Sequence, residues 1–188
     1  MNETKITFAN LDSPVGEMIA GATDEGVCFL EWHDRGGVER IKQRVIKRYR
    51  ATLEEGWNKH LELLKSELAD YFKGTLKKFT VPVFVKGTEF EMRDWDALLK
   101  IPYGKTISYG ELARRLGNAN ASRAVGRANG ANYLSIVIPC HRVIESTGKL
   151  RGYGGGLWRK QYLLNLEAGT APETLAGIMD SALVGKSS

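Results

Sequence analysis

The 188-residue chain is 43% hydrophobic and 26% charged, with a net charge of +5, the balance of an ordinary globular protein and not of a disordered one. No apolar run approaches the roughly 18 to 20 residues of a membrane span, and the N-terminus MNETKITFANLDS lacks the basic-then-apolar layout of a signal peptide, so a cytoplasmic monomer with no membrane partner is expected. Two cysteines and three histidines, with no Cys-x-x-Cys or His-x-x-x-His spacing, give no support for a metal site.

Residues 4–33 alternate apolar and polar positions through Ile6 and Phe8, Met18 and Ala20, then Cys28, Leu30 and Trp32. Breaks at Asp12-Ser13-Pro14 and Asp24-Glu25-Gly26 divide the runs, which predicts a small antiparallel meander. A helix is expected over 38–50, where Val38, Ile41 and Val45 share a face, and another over 58–72 through Leu61, Leu64, Leu68 and Tyr71, with Gly74 as its stop. Near Lys86-Gly87 the texture turns helical. Thr88-x-x-Glu91 has the form of a capping box, and a second, Ser108-x-x-Glu111, follows the turn Ile101-Pro102-Tyr103-Gly104.

The helix opened at Ser108 stops at Gly117, and a second short one covers Ala121–Asn129, which together outline a helix-turn-helix. Residues 133–138 read as a short buried strand or extended run, Glu145–Lys149 as a turn, Gly152–Gly156 as a flexible loop, and 157–168 as a last helix. The fold class expected is α+β: a small N-terminal antiparallel sheet with helices over 1–86, then a mostly helical domain over 87–169 that carries the helix-turn-helix. Residues 170–188 are expected to be a disordered tail.

Charge is distributed unevenly. Residues 1–89 carry 14 basic and 14 acidic side chains, whereas 90–169 carry 12 and 6. A localised positive field attracts polyanions, although solubility alone would also account for it. The second helix of the pair is built from Ala, Ser, Gly and Asn around Arg123 and Arg127, which lie four apart and share a face. Small residues allow close approach, either to a narrow groove of DNA or to a neighbouring helix, and both readings stand.

The chemistry concentrates at Ile138-Pro139-Cys140-His141-Arg142. A free thiol with a pKa of about 8.5 is mostly protonated at neutral pH, so reactivity needs a base or a positive field, which His141 and Arg142 supply. Neighbours in an extended chain point to opposite sides, so a direct bond from Cys140 to His141 would need a turn or a bridging water. Glu167 stands at the C-terminal end of an otherwise apolar helix, a poor place for a carboxylate, and is the candidate to hold the second imidazole nitrogen. On these grounds Cys140 is a nucleophile or a buried structural thiol, with a metal-ligand or redox role as a third reading.

The segment Pro139-Cys140-His141-Arg142-Val143 resembles the active-site signature of the O6-alkylguanine-DNA alkyltransferases. The resemblance runs in order from Phe90 to Gly169, through Ile107-Ser108-Tyr109, Ser122-Arg123-Ala124-Val125-Gly126, Asn132, Tyr153-Gly154-Gly155-Gly156-Leu157 and Leu163-x-x-x-Glu167. It implies a suicide DNA-repair protein that flips the damaged base out of double-stranded DNA and moves the alkyl group from O6 of guanine irreversibly to Cys140, with O4-alkylthymine as a candidate second substrate. His141 would activate Cys140 through a water, Glu167 would orient His141, and Asn132 would support the turn. Tyr109 would donate to N3 of the leaving guanine and crowd its phosphate. Arg123 would fill the vacated stack, and Ser122, Ala124, Gly126 and Arg127 would complete the DNA-binding helix.

Tyr153, Gly154, Gly155, Val143 and Trp158 would form the substrate pocket. No cofactor is implied. Gly154 stands where many members have Ser, so backbone amides of Gly154 and Gly155 would take over its hydrogen bond, and Trp158 replaces a smaller residue. The alternatives are a non-catalytic lesion sensor using the same helix-turn-helix, which the cysteine argues against, and a cysteine hydrolase, for which no oxyanion hole is evident.

Overall fold

The computed structural model describes residues 4–170, so the expected disordered tail lies, Thr170 apart, outside the described residues. The alternating segment forms β1 (Thr4–Leu11), β2 (Met18–Ala22) and β3 (Val27–Trp32), paired antiparallel so that Ala20 lies opposite Ala9 on one side and Leu30 on the other. A fourth strand, β4 (Ala51–Glu55), adds to the far side of β1 in parallel, giving the order β3-β2-β1-β4. It left no alternation in the sequence because Ala51 is its one buried residue and it ends in Glu54-Glu55, as suits a sheet edge that must not pair further.

Helix α1 (Val38–Tyr49) lays Ile41, Val45 and Tyr49 on one face of the sheet, against Ile6, Phe8, Ile19 and Phe29. The other face carries Met18, Ala20, Leu30 and Trp32. These meet Leu61, Leu64, Leu68 and Tyr71 of α2 (Lys59–Phe72), and the same apolar cluster continues into the C-terminal half through Trp95, Leu112, Val125 and Leu163. Each fully buried large side chain of this kind contributes roughly 1.5–3 kcal/mol. Cys28 belongs to the α1 face, where its thiol donates to the Gly21 carbonyl at 3.1 Å and burial pushes its pKa up to about 12. It is a packing residue.

In the C-terminal half, α3 (Glu89–Leu98) opens on the expected capping box: the Thr88 hydroxyl accepts from Glu91 N at 3.2 Å, and the Glu91 carboxylate accepts from Thr88 N at 2.8 Å. The second box closes only halfway. At the start of α4 (Tyr109–Arg115), Ser108 accepts from Glu111 N, but the Glu111 carboxylate turns to Arg114 and Arg115 at 2.9 and 3.1 Å, because charged partners three and four residues on offer more than a lone amide. Helix α5 (Ser122–Gly130) follows as the second member of the helix pair, and α6 (Leu157–Glu167) closes the fold. Strand β5 (Ile107–Ser108) pairs in parallel with β6 (Val143–Ile144), which sets Tyr109 beside the segment that follows Cys140.

The run 133–138 is not a strand, which corrects that expectation. A single bridge, Leu30 to Leu134, joins it to β3. Beyond it, Val137 N donates to Ser135 O at 2.8 Å and Ile138 N to Leu134 O at 3.0 Å, coiling the run into turns. Its residues are apolar because they are buried on all sides, and a short buried run has no periodicity to separate strand from turn.

Candidate active site and nucleic-acid interface

The turn that presents Cys140 is tightly specified. Ile136 has φ of +71°, a left-handed conformation that costs a β-branched residue on the order of 1–3 kcal/mol, and it persists because the flanking residues 134–138 are all buried. Asn132 braces the turn from inside: its amide donates to Ile138 O at 2.9 Å and to Cys140 Sγ at 3.3 Å, while its oxygen accepts from Leu134 N at 2.9 Å. Cys140 to Arg142 then form one turn of 3₁₀ helix. The three consecutive side chains therefore diverge, and Cys140 and His141 do not point at each other.

His141 points inward. Its Nε2 lies 2.7 Å from Glu167 Oε1, and its Nδ1 is buried with no partner among the described residues. Glu167 is the hub of this region. Arg142 donates to both of its oxygens at 2.9 and 3.0 Å, Tyr71 OH donates to Oε1 at 2.8 Å, and Gly104 N donates to Oε2 at 3.0 Å. Burial would raise this carboxyl's pKa, but the hydrogen bond from His141, its charge once the imidazole is protonated in acid, and the bonds and charge of Arg142 outweigh it and hold the group ionised well below the usual carboxylate range. Burial also pushes the imidazole down, opposed by Glu167. The resting pair is thus a neutral histidine, with Nε2–H donated to a carboxylate and Nδ1 left as a base.

The Cys140 thiol is pushed up by burial, and the Asn132 hydrogen bond with the charges of Lys160 and Arg35 pulls it part of the way back. At rest it is a thiol. Lys160 is itself fully buried on α6, with Nζ donating to Val143 O at 2.6 Å and Arg151 O at 2.9 Å; burial lowers its pKa to about 8. The Arg151 carbonyl also accepts from Tyr109 OH at 2.8 Å, and burial followed by the nearby Cys140 charge raises that phenol to about 12. Tyr109 accordingly stays a donor across the neutral range.

A cavity of about 1080 Å³ opens over Cys140 between α4, α5 and the 145–154 loops. Cys140, Tyr109, Tyr153, Gly154, Ser122, Arg123 and Gly126 all line it. Ala124 and Arg127 share α5 but lie off the cavity, with Arg127 exposed, and Val125 and Ala128 turn the opposite face of the helix into the core. Asn132, His141 and Glu167 stand behind Cys140. Val143 is fully buried, and its carbonyl holds Lys160. Gly155 packs on the Trp32 ring, where a Cβ would come within 2.6 Å, and Trp158 stacks under the Arg159 guanidinium at 4.5 Å. Neither Val143, Gly155 nor Trp158 faces the cavity.

Four residues of the site were not singled out in the sequence: Arg35, Tyr71, Arg142 for its bonds to Glu167, and Lys160. A signal existed for Lys160, since Lys160, Leu163 and Glu167 fall on one helical stripe with polar members where apolar ones belong. For Arg35 and Tyr71, both remote in sequence, there was none.

Comparison with known proteins gives a consistent result. The family model of the 6-O-methylguanine DNA methyltransferase DNA-binding domain matches residues 89–169. A methylated-DNA--protein-cysteine methyltransferase of Mycolicibacterium paratuberculosis is 40% identical over 173 residues, covering 90% of this chain and 97% of the relative, and one from Methanosarcina acetivorans is 39% identical over 163 residues, covering 85% and 97%. The crystal structure of Mycobacterium tuberculosis OGT in complex with DNA superposes with a TM-score of 0.78 at 39% identity, covering 93% of this chain and 99% of that one. Matched to these relatives over nearly their whole length at about 40% identity, the chain belongs to the methylated-DNA--protein-cysteine methyltransferase family.

Proposed function

We propose that this protein repairs double-stranded DNA by transferring the alkyl group from O6 of an alkylguanine to its own Cys140, once and irreversibly. The observation that carries this reading is the placement of Cys140 Sγ at the floor of a cavity walled by α5 and Tyr109, with a neutral His141 behind it. Cys140 is buried beneath this cavity, out of reach of a base stacked inside a duplex, so the nucleotide must rotate out of the stack. That costs a few kcal/mol, which Arg123, exposed on α5, offsets by entering the gap while Ser122, Ala124, Gly126 and Arg127 follow the groove.

The thiol proton passes to His141 Nδ1 through a water, and Glu167 stabilises the imidazolium. Sγ attacks the alkyl carbon; the S–C bond forms as the C–O6 bond breaks, and the electron pair leaves on guanine. Tyr109 donates to guanine N3, and the proton taken from the thiol is returned to the base through solvent, giving neutral guanine and restoring neutral His141. Water could regenerate the cysteine only by expelling a thiolate from an uncharged thioether, a poor leaving group, so turnover ends. Gly154 presents a backbone amide near the departing oxygen. We read residues 87–169 as the DNA-binding and transfer unit and 1–86 as its support. We also place the protein in the cytoplasm, where a reducing environment keeps an acceptor thiol unoxidised.

Intact mass measured after incubation with excess duplex carrying O6-methylguanine tests this reading. One methyl increment on Cys140, with guanine restored and no further turnover, is the expected outcome. Unmodified protein that still binds the lesion would identify a sensor, and repeated turnover would identify a hydrolase.

A further inference from the structure

The Cys140 turn is anchored from outside by β3 and the segment that follows it. Leu30 N donates to Tyr133 O at 2.7 Å, and Ser135 N donates back to Leu30 O at 3.0 Å, so the backbone on both sides of Leu134 is zipped to the sheet. Five residues further on, Arg35 spreads its guanidinium over the same joint. Nη2 donates to Gly130 O at 2.7 Å, the last residue of α5, and Nη1 donates to Asn132 O at 3.1 Å and to Glu31 Oε1 at 2.5 Å.

Glu31 is fully buried, and burial lifts its pKa to about 7 against the pull of Arg35. A buried carboxylate in an otherwise apolar strand is expensive unless it holds something. What it holds is the orientation of Arg35. The guanidinium also reaches the wall of the cavity, where it lies directly over Gly154: a Cβ added there would run into it. The glycine at this position is therefore what lets an arginine from the N-terminal half reach the site.

We propose that Arg35 is a positioning residue for alkyl transfer, acting through Asn132 and the end of α5, with Glu31 as its anchor. Asn132 has its backbone carbonyl on Arg35 and its side-chain amide on Cys140 Sγ and Ile138 O. Fixing the carbonyl fixes the peptide plane from which the amide reaches the sulfur. The bond to Gly130 simultaneously sets the end of the DNA-contacting helix relative to the thiol. Such a fork needs two donors in one plane, which a guanidinium provides and an ammonium does not.

The inference rests on the transfer reading above, and single-turnover kinetics separate the two. Wild-type protein that accepts no methyl group would overturn the transfer reading itself. Given a competent wild type, we expect Arg35→Ala to accept one methyl group per molecule, as the wild type does, but with a limiting rate about tenfold lower, on free O6-methylguanine as well as on duplex. Arg35→Lys should recover only a minor part of that loss. Tyr49→Phe, which removes the hydroxyl bonds to Cys28 O and Phe84 O in the same half, should react at the wild-type rate. A lower final stoichiometry for Arg35→Ala with an unchanged rate would show a merely structural residue and overturn the proposal, as would full recovery by lysine.

Discussion

His141 and Glu167 meet at 2.7 Å with neither side chain accessible to solvent. The carboxylate also balances Arg142, so one group orients the base and neutralises a buried guanidinium. Replacing it by an amide of the same shape leaves that guanidinium without a counter-charge, a loss of about 3–5 kcal/mol for a broken buried pair. Glu167→Gln should lower the unfolding free energy by about that amount in urea and slow transfer in the molecules that remain folded. The sign with pH follows from the depressed carboxyl. Its stabilisation is fully present above the ordinary carboxylate pKa of about 4.3 and is lost as pH falls below it, so the gap between wild type and variant should narrow in acid.

Asp94 offers the opposite case. It is fully buried on α3, neither oxygen has a partner among the described residues, and burial followed by Glu91 raises its pKa to about 7. The unfolded chain gives up this proton near pH 4 and the folded chain only near 7, so the residue destabilises the fold increasingly between those values. Asp94→Asn should gain about 2 kcal/mol more, relative to wild type, at pH 8 than at pH 5. Denaturant titrations at the two pH values check it, and a pH-independent difference would show that the carboxyl is not held protonated.

Arg123→Ala should slow repair of duplex DNA at least tenfold while leaving reaction with free O6-methylguanine unchanged, because the side chain is exposed on α5 and touches none of the groups that act on the thiol. Equal losses on both substrates would remove Arg123 from base flipping. The contrast with Arg35→Ala, which is expected to slow both, makes the pair of variants informative together.

Tyr109→Phe keeps the ring and deletes the donor. The hydroxyl's partner in the free protein is the Arg151 carbonyl, which Lys160 continues to satisfy, so folding should be affected by less than about 0.5 kcal/mol. Transfer should fall about tenfold on duplex and free base alike, with duplex affinity by fluorescence anisotropy unchanged. A weakened affinity at an unchanged rate would assign the hydroxyl to DNA binding instead.

Legibility in the sequence followed the range of the interactions. The meander, the helices and the Thr88 cap were readable because periodicity and capping are local. The signature around Cys140, with Tyr109, Arg123, Asn132 and Glu167, was readable from its likeness to a known family. Local chemistry alone left Cys140 undecided, since an extended chain would have turned His141 away. The 3₁₀ turn does turn it away, toward Glu167. The run 133–138 was misread as extended because burial erases periodicity, and β4 was missed because a charged edge strand has none. Tyr71 on Glu167 and Arg35 on Asn132 span 96 and 97 residues, and nothing in a linear sequence marks such pairs.

The apolar cluster that runs from Leu11 through Trp32 to Leu163 makes the two halves of the chain one folding unit. The DNA-binding-domain model matches from residue 89, yet the interior of that block is completed by residues contributed between Ala9 and Val81. Residues 87–169 therefore do not close their own core, and the strip from Leu30 to Arg35 supplies the edge against which the cysteine turn docks.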